Sequence, residues 1–173
     1  MPNHVTIEPR ANEPGWRLTC RLIVPRPVSD VFPFFADAHN LEELTPDTVR
    51  FNVLTPRPIE MKPGAIIDYK LKIKGVPIRW RTEIPVWDPP HQFVDNQIKG
   101  PYVLWHHTHT FEPVDNGKST LVRDVVNYIP RGGPLRPLLH TLFIKRDLTH
   151  IFEYRSKKLA EIFGEVPEPA PVS

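Results

Sequence analysis

The sequence predicts an α+β fold in which a curved antiparallel sheet of about seven strands wraps one long C-terminal helix, with two short helices after the first strand. Three observations predict it. Period-two hydrophobic segments bounded by Gly, Pro or Asn recur from residue 16 to residue 130. A 3.6-residue period runs over a long stretch only once, between residues 135 and 164. Twenty-two prolines argue against a long-helix bundle, because each fixes φ and removes a backbone donor. At 173 residues the chain suits one core, so residues 16–164 are expected as the domain. Residues 1–15 are then an N-terminal extension and 165–173 a proline-rich mobile tail.

WRLTCRLIVPRP opens as a strand with Leu18, Cys20 and Leu22 on one side, ended by Pro25 and Pro27. VSDVFPFFADAHNLEELTP reads as two short helices, the first limited by Pro33, with Phe32, Phe35, Leu41 and Leu44 on the buried side. RFNVLTP is a short strand closed by Pro56. In the next hairpin Ala65, Ile67, Tyr69, Leu71 and Ile73 share one face, against Asp68, Lys70, Lys72 and Lys74 on the other. Its second arm sets Ile78, Trp80, Thr82, Ile84 and Val86 against Arg79, Arg81 and Glu83. A two-residue turn at Gly75-Val76 would pair Ile73 with Ile78 and Leu71 with Trp80. Three more strands turn at Lys99-Gly100-Pro101 and at Asp115-Asn116-Gly117. After Arg131-Gly132-Gly133-Pro134, a plain turn or a hinge, a helix of about 27 residues and ~40 Å follows. Its apolar face carries Leu138, Leu142, Leu148, Ile151, Phe152, Leu159 and Ile162.

A formal charge of +2 is too balanced for a nucleic-acid binder. The row Lys70, Lys72, Lys74, Arg79 and Arg81 is a solvated sheet face that also permits transient contact with an anionic membrane surface. Cys20 is the lone cysteine, which excludes an internal disulfide and a thiolate cluster. With no signal-like N-terminus and no apolar run of spanning length, a cytoplasmic chain is expected. Phosphate-cradling glycine loops, dinucleotide fingerprints, nucleophile elbows and paired zinc motifs are missing. Nothing in the pattern sets an oligomeric state.

The stretches VFPFFADAHNLEELTPDTVRF, FVDNQIKGPYVLWHHTHTFE and IFEYR resemble motifs of bacterial ligand-binding SRPBCC proteins, relatives of START domains, polyketide cyclases and coenzyme-Q-binding proteins. The likeness runs from about Trp16 to Gly164 and implies a helix-grip fold. It also implies a cavity between sheet and helix that holds an apolar small molecule. Lipid carriers, hormone binders, cyclases and chaperone activators share this scaffold, so the resemblance implies fold more specifically than activity.

WHHTHTF carries three of the eight histidines. Alternation puts Trp105, His107, His109 and Phe111 on one face, the natural inner one, and leaves His106 toward water. A two- or four-residue loop near Asn116-Gly117 sets His109 opposite Asp124 and Trp105 opposite Tyr128, with Val122 and Val126 on the same face. A three- or five-residue loop near Gly100-Pro101 sets His107 opposite Asp95, Trp105 opposite Gln97 and His109 near Phe93. A one-residue change of loop length would turn either carboxylate outward.

Three readings of this cluster stay open: a mutually satisfied buried network, the polar end of a greasy pocket, or a general base tuned by a carboxylate. Catalytic candidates are His107, His109 and Asp124. Ligand contacts are expected from Tyr69, Leu71, Trp80, Phe93, Asp95, Gln97 and Trp105, and from His107, His109, Asp124, Tyr128, Phe152 and Arg155. Tyr69, Trp80, Phe93 and Tyr102 read equally well as plain wall and core residues. Arg155, centred on the helix's apolar stripe, needs a carboxylate partner, the cavity mouth or an oxygenated ligand group. H-x-H on a strand points both rings one way, yet the resemblance implies no metal and no second-sphere partner is identifiable, so neither metal nor cofactor is expected. The leading expectation is a carrier or sensor for a lipid, quinone or polyketide-like molecule. The alternative is a cofactor-free cyclase or dehydratase, and the third a protein-interaction or regulatory module.

Overall fold

In the computed structural model, which describes residues 5–166, the sheet begins earlier than the hydrophobic pattern indicates. Thr6–Pro9 (β1) pairs antiparallel with Trp16–Val24 (β2), adding an eighth strand from within residues 1–15. The others are Asn52–Val53 (β3), Ala65–Ile73 (β4), Val76–Asp88 (β5), Gln92–Lys99 (β6), Tyr102–Val114 (β7) and Ser119–Pro130 (β8). They form one sheet in the order β1-β2-β8-β7-β6-β5-β4-β3. All registered pairs are antiparallel, so β3 to β8 form a continuous meander and β2 closes against β8. The helix-grip architecture expected from the motifs is the one observed. Of the tail, residues 167–173 lie outside the described residues.

Hydrophobic alternation is realised where a strand runs straight. In β2, Leu18, Cys20, Leu22 and Val24 are all buried, as the period predicts. The β4–β5 hairpin departs by two residues: the turn is Lys74-Gly75, Ile73 pairs with Val76, and Tyr69 rather than Leu71 faces Trp80. Both turn residues have positive φ, 48° and 86°, which suits a two-residue hairpin loop and requires little of Gly75. A two-residue shift keeps every side chain on its predicted face. Val86 is the exception. A bulge between Glu83 and Val86 inserts an extra residue, turning Val86 to solvent and Trp87 into the core.

Val28–Ala36 (α1) contains Pro33 in its interior and buries Val31, Phe32 and Phe35. The expected second helix is a 3₁₀ turn at Ala38–Leu41, begun by Asp37, whose carboxylate accepts the His39 N–H at 2.9 Å. A further 3₁₀ turn spans Asp47–Val49.

The long C-terminal helix is present but changes pitch. Arg136–Leu139 (α2) passes through a π-helical segment, His140–Ile144, into Lys145–Phe163 (α3). A wider turn shifts the angular phase of what precedes it. Leu148, Phe152 and Leu159 are buried as expected, whereas Leu138 and Leu142 are 56% and 52% exposed, and Ile162 is also exposed. His140 turns inward instead and stacks on Trp16, with ring centroids 3.7 Å apart.

Candidate ligand cavity and its charged end

Between the inner sheet face and α3 lies a cavity of about 180 Å³. Ten of the residues expected as ligand contacts line it. The sheet contributes Tyr69, Leu71, Trp80, Phe93, Asp95, Trp105, His107 and His109, and α3 contributes Phe152 and Arg155. The other three do not reach it. Asp124 sits behind the two imidazoles. Gln97 folds back on its own turn: its amide NH₂ donates to the Tyr102 carbonyl at 2.9 Å, and its side-chain oxygen accepts the Tyr102 N–H at 3.1 Å. Tyr128, fully buried, pairs its hydroxyl with His140 Nε2 at 2.8 Å. Alternation gave the correct face for these residues but not the bending of the side chain.

Sequence reasoning missed the wall opposite the sheet. Phe35, Asp37, Asn40 and Leu41 come from α1 and the following turn, and Phe51 and Met61 from the irregular segment before β4. Phe35 and Leu41 could have been found from their place on the buried side of the helices. Loop residues such as Met61 carry no periodic signal. Thr82 takes the inner face as predicted and accepts the Trp80 indole N–H at 3.1 Å, so this polar group is satisfied within the wall.

The charged end is built by register. β7 sets His109 opposite Asp124 on β8, and both His107 opposite Asp95 and His109 opposite Phe93 on β6, as the turn lengths predict. Trp105 faces Tyr128 likewise. The paired Trp105–Gln97 position is not part of the regular ladder, which runs from Gln92 to Asn96 on β6. The four-residue connection Asp115–Lys118 keeps Asp124 inward.

The side chains cross-link both neighbouring strands. His109 Nε2 is 2.7 Å from Asp95 Oδ2, and its Nδ1 is 2.8 Å from Asp124 Oδ1. His107 Nε2 is 2.9 Å from the same Asp124 oxygen, while its Nδ1 stands 3.5 Å from Asp95 Oδ2. The rings lie against each other, centroids 3.8 Å apart, and Phe93 stacks on His109 at 4.2 Å. Arg155 reaches down from α3, its Nε 3.3 Å from Asp124 Oδ2 and its Nη2 donating to Oδ1 at 3.3 Å. The buried arginine therefore has its carboxylate partner and also borders the cavity.

Protonation follows from these contacts. Burial would raise the pKa of Asp124, but the Arg155 charge and hydrogen bonds from both histidines hold it well below the usual carboxylate range. Asp95 is likewise lowered, because the imidazoles outweigh the cost of burial. For His109, hydrogen bonds to Asp124 and Asp95 overcome desolvation and raise its pKa. For His107, burial and the neighbouring His109 charge prevail and lower it. The coherent state is two carboxylates, one guanidinium, an imidazolium at 109 and a neutral imidazole at 107, which sums to zero charge. His107 then donates from Nε2 to Asp124 and keeps a lone pair on Nδ1, on the Asp95 side of the ring.

The described residues contain no helix long and apolar enough to cross a membrane. No curated protein shows significant sequence similarity to the chain. Among solved structures it is similar to a Thermus thermophilus protein, at 18% identity and a TM-score of 0.66, over 84% of this chain and 94% of that one. It is similar to the Zhui aromatase/cyclase of a Streptomyces species at 13% identity and 0.60, covering 84% and 94%. A START superfamily protein of Mycobacterium smegmatis matches at 11% identity and 0.61, covering 85% and 96%. At such identities the shared property is the fold. The family-level relationship comes from the sequence itself: residues 24–159, from the last residue of β2 through most of α3, match the model of one family, so the chain belongs to the polyketide cyclase / dehydrase and lipid transport family.

Proposed function

We propose that the protein is a carrier or sensor that holds a hydrophobic small molecule in the cavity between sheet and α3. The observation that carries this reading is the distribution of polarity. Aromatic and aliphatic side chains make most of the wall, and the ionisable groups on β6 and β7, with Arg155, gather at one end. There they largely satisfy one another: both nitrogens of His109 are engaged by carboxylates, which suits a fixed binding surface better than a mobile proton shuttle. A cavity of about 180 Å³ is a little larger than the roughly 150 Å³ that accepts benzene. A single ring with short substituents fits it, and a longer chain has to extend beyond it or spread the walls. Quinone and polyketide-like ligands suit this shape, and lipids do if only part of the chain enters.

Loading at a membrane surface fits the helix entry. Leu135, Leu138, Leu142 and Phe143 are exposed there, and Lys74 at the β4–β5 tip stands 4.8 Å from the Phe143 ring and bonds Asp147 at 2.7 Å. Arg131, Arg136, Lys145 and Arg146 lie close to these residues in sequence. Exposed leucines in a stretch rich in basic residues suit contact with an anionic bilayer.

The test is native mass spectrometry of the purified full-length protein with identification of what it carries, followed by titration with ring-sized apolar probes. Ile151→Trp, which fills the cavity from α3, should lower probe affinity at least tenfold with the circular dichroism unchanged. A protein that purifies empty and takes up no probe would end the carrier reading. The second reading, a cyclase or dehydratase, is favoured by the uncommitted Nδ1 of His107. It predicts turnover of a polyketide-type substrate that is lost in His107→Gln.

A further inference from the structure

The charged end also has the layout of a metal centre, and we infer that Asp95, His107 and His109 bind one divalent transition-metal ion of the borderline class, such as Zn²⁺ or Fe²⁺, with coordination positions open to the cavity. This goes beyond the carrier reading and does not depend on it. One ligand atom from each residue lies within 4.8 Å of the others. His107 Nδ1 and His109 Nε2 stand 3.5 and 2.7 Å from Asp95 Oδ2. Metal–ligand bonds of about 2.0–2.2 Å at tetrahedral angles separate ligand atoms by roughly 3.4 Å, so small side-chain shifts complete the triangle.

The second sphere is the stronger argument. A metal-binding imidazole needs its far nitrogen anchored, which fixes ring and tautomer. Here the far nitrogens of both rings, His107 Nε2 and His109 Nδ1, meet the same oxygen of Asp124, at 2.9 and 2.8 Å. Asp124 is held in turn by Arg155. The guanidinium sits 3.3 Å from His109 Nδ1, so it lies across the ring from the ligating Nε2 and does not compete with a cation there.

Charge and shape agree. A cation at His109 Nε2 displaces the proton that this nitrogen otherwise shares with Asp95, so both rings are then neutral and two carboxylates against one guanidinium leave one negative charge around the ion. A divalent ion reverses it to one positive charge, which an anionic oxygen neutralises. The matching ligand is therefore an otherwise apolar molecule with a carboxylate, enolate or phenolate oxygen. Nitrogen and oxygen donors in a two-histidine, one-carboxylate set select borderline transition metals over Ca²⁺ or Mg²⁺. Three protein ligands also leave positions for such an oxygen.

The test uses full-length protein stripped with a chelator and titrated with Co²⁺, read by visible d–d absorption, and with Zn²⁺, read by calorimetry. One equivalent should bind per chain, with the Co²⁺ bands displaced by Zn²⁺. Asp95→Asn, His107→Ala and His109→Ala should each abolish the bands. Asp124→Asn should keep the stoichiometry and weaken affinity about 10–100-fold. His106→Ala, on the outer face, should change nothing. If the alanine variants fail to fold, wild type and the isosteric Asp95→Asn decide. A wild type with neither Co²⁺ bands nor Zn²⁺ heat, bands that survive in Asp95→Asn, or bands lost in His106→Ala would each overturn the site. Apolar-probe uptake by the metal-free protein reads the carrier function separately, so either reading can fail alone.

Discussion

Asp124 and His109 face each other across β8 and β7, and their side chains meet at 2.8 Å in a setting where each residue is 3% exposed. A carboxylate so deeply buried persists in its ionised form only because partners replace its water. It has three, His107 and His109 from β7 and Arg155 from α3, so this carboxylate ties the gripping helix to the sheet.

Breaking one side of that tie should be costly. Arg155→Met leaves Asp124 buried without its guanidinium and should lower stability by about 3–5 kcal/mol in urea unfolding. The double variant Asp124→Asn with Arg155→Met should lose clearly less than the sum of the single variants, since both members of the pair are then neutral. Additive losses would show that the two residues do not interact.

Stability should fall on mild acidification through His140. Burial, aided by Lys145, lowers its pKa from 6.5 to about 4, so the folded ring is neutral where an unfolded one is charged. The unfolded state thus binds the extra proton first. The contribution is fully present above pH 6.5 and is lost as pH falls toward about 4. In His140→Gln, which keeps an acceptor for Tyr128, unfolding free energy measured between these limits should decline less steeply than in the wild type. Parallel pH profiles would contradict the assignment.

Cys20 should be inert until the protein unfolds. It is 3% exposed, and its Sγ lies 3.1 Å from Ser156 Oγ. Burial, reinforced by the Asp124 charge, pushes the thiol up to about 11, which keeps the thiolate scarce at neutral pH. A disulfide-exchange reagent should label it only in denaturant, at one thiol per chain.

The exposed leucines should matter for membranes and not for folding. Leu138→Glu with Leu142→Glu should leave Tm within about 2 °C, since half-exposed positions contribute little packing. It should abolish co-sedimentation with anionic vesicles, an association that high salt also weakens in the wild type. Equal sedimentation of wild type and variant would remove the helix entry from the membrane contact.

Much of this protein is determined by local pattern alone. Period-two alternation and turn chemistry specify six meander strands, and because a register error flips a whole face, they also specify that Asp95, His107, His109 and Asp124 converge. The hairpin turn at Lys74-Gly75 is displaced by one residue from its predicted place yet costs the face assignment nothing, since the register moves by two. Tertiary structure alone decides what lacks a period. β1 forms because β2 offers an unpaired edge, the bulge before Val86 exchanges it for Trp87, and the π-helical turn rotates Leu138 and Leu142 outward. It also decides that Asp124 stands behind the imidazoles and that Gln97 caps its own turn, because spacing selects a face while side-chain direction depends on neighbours distant in sequence.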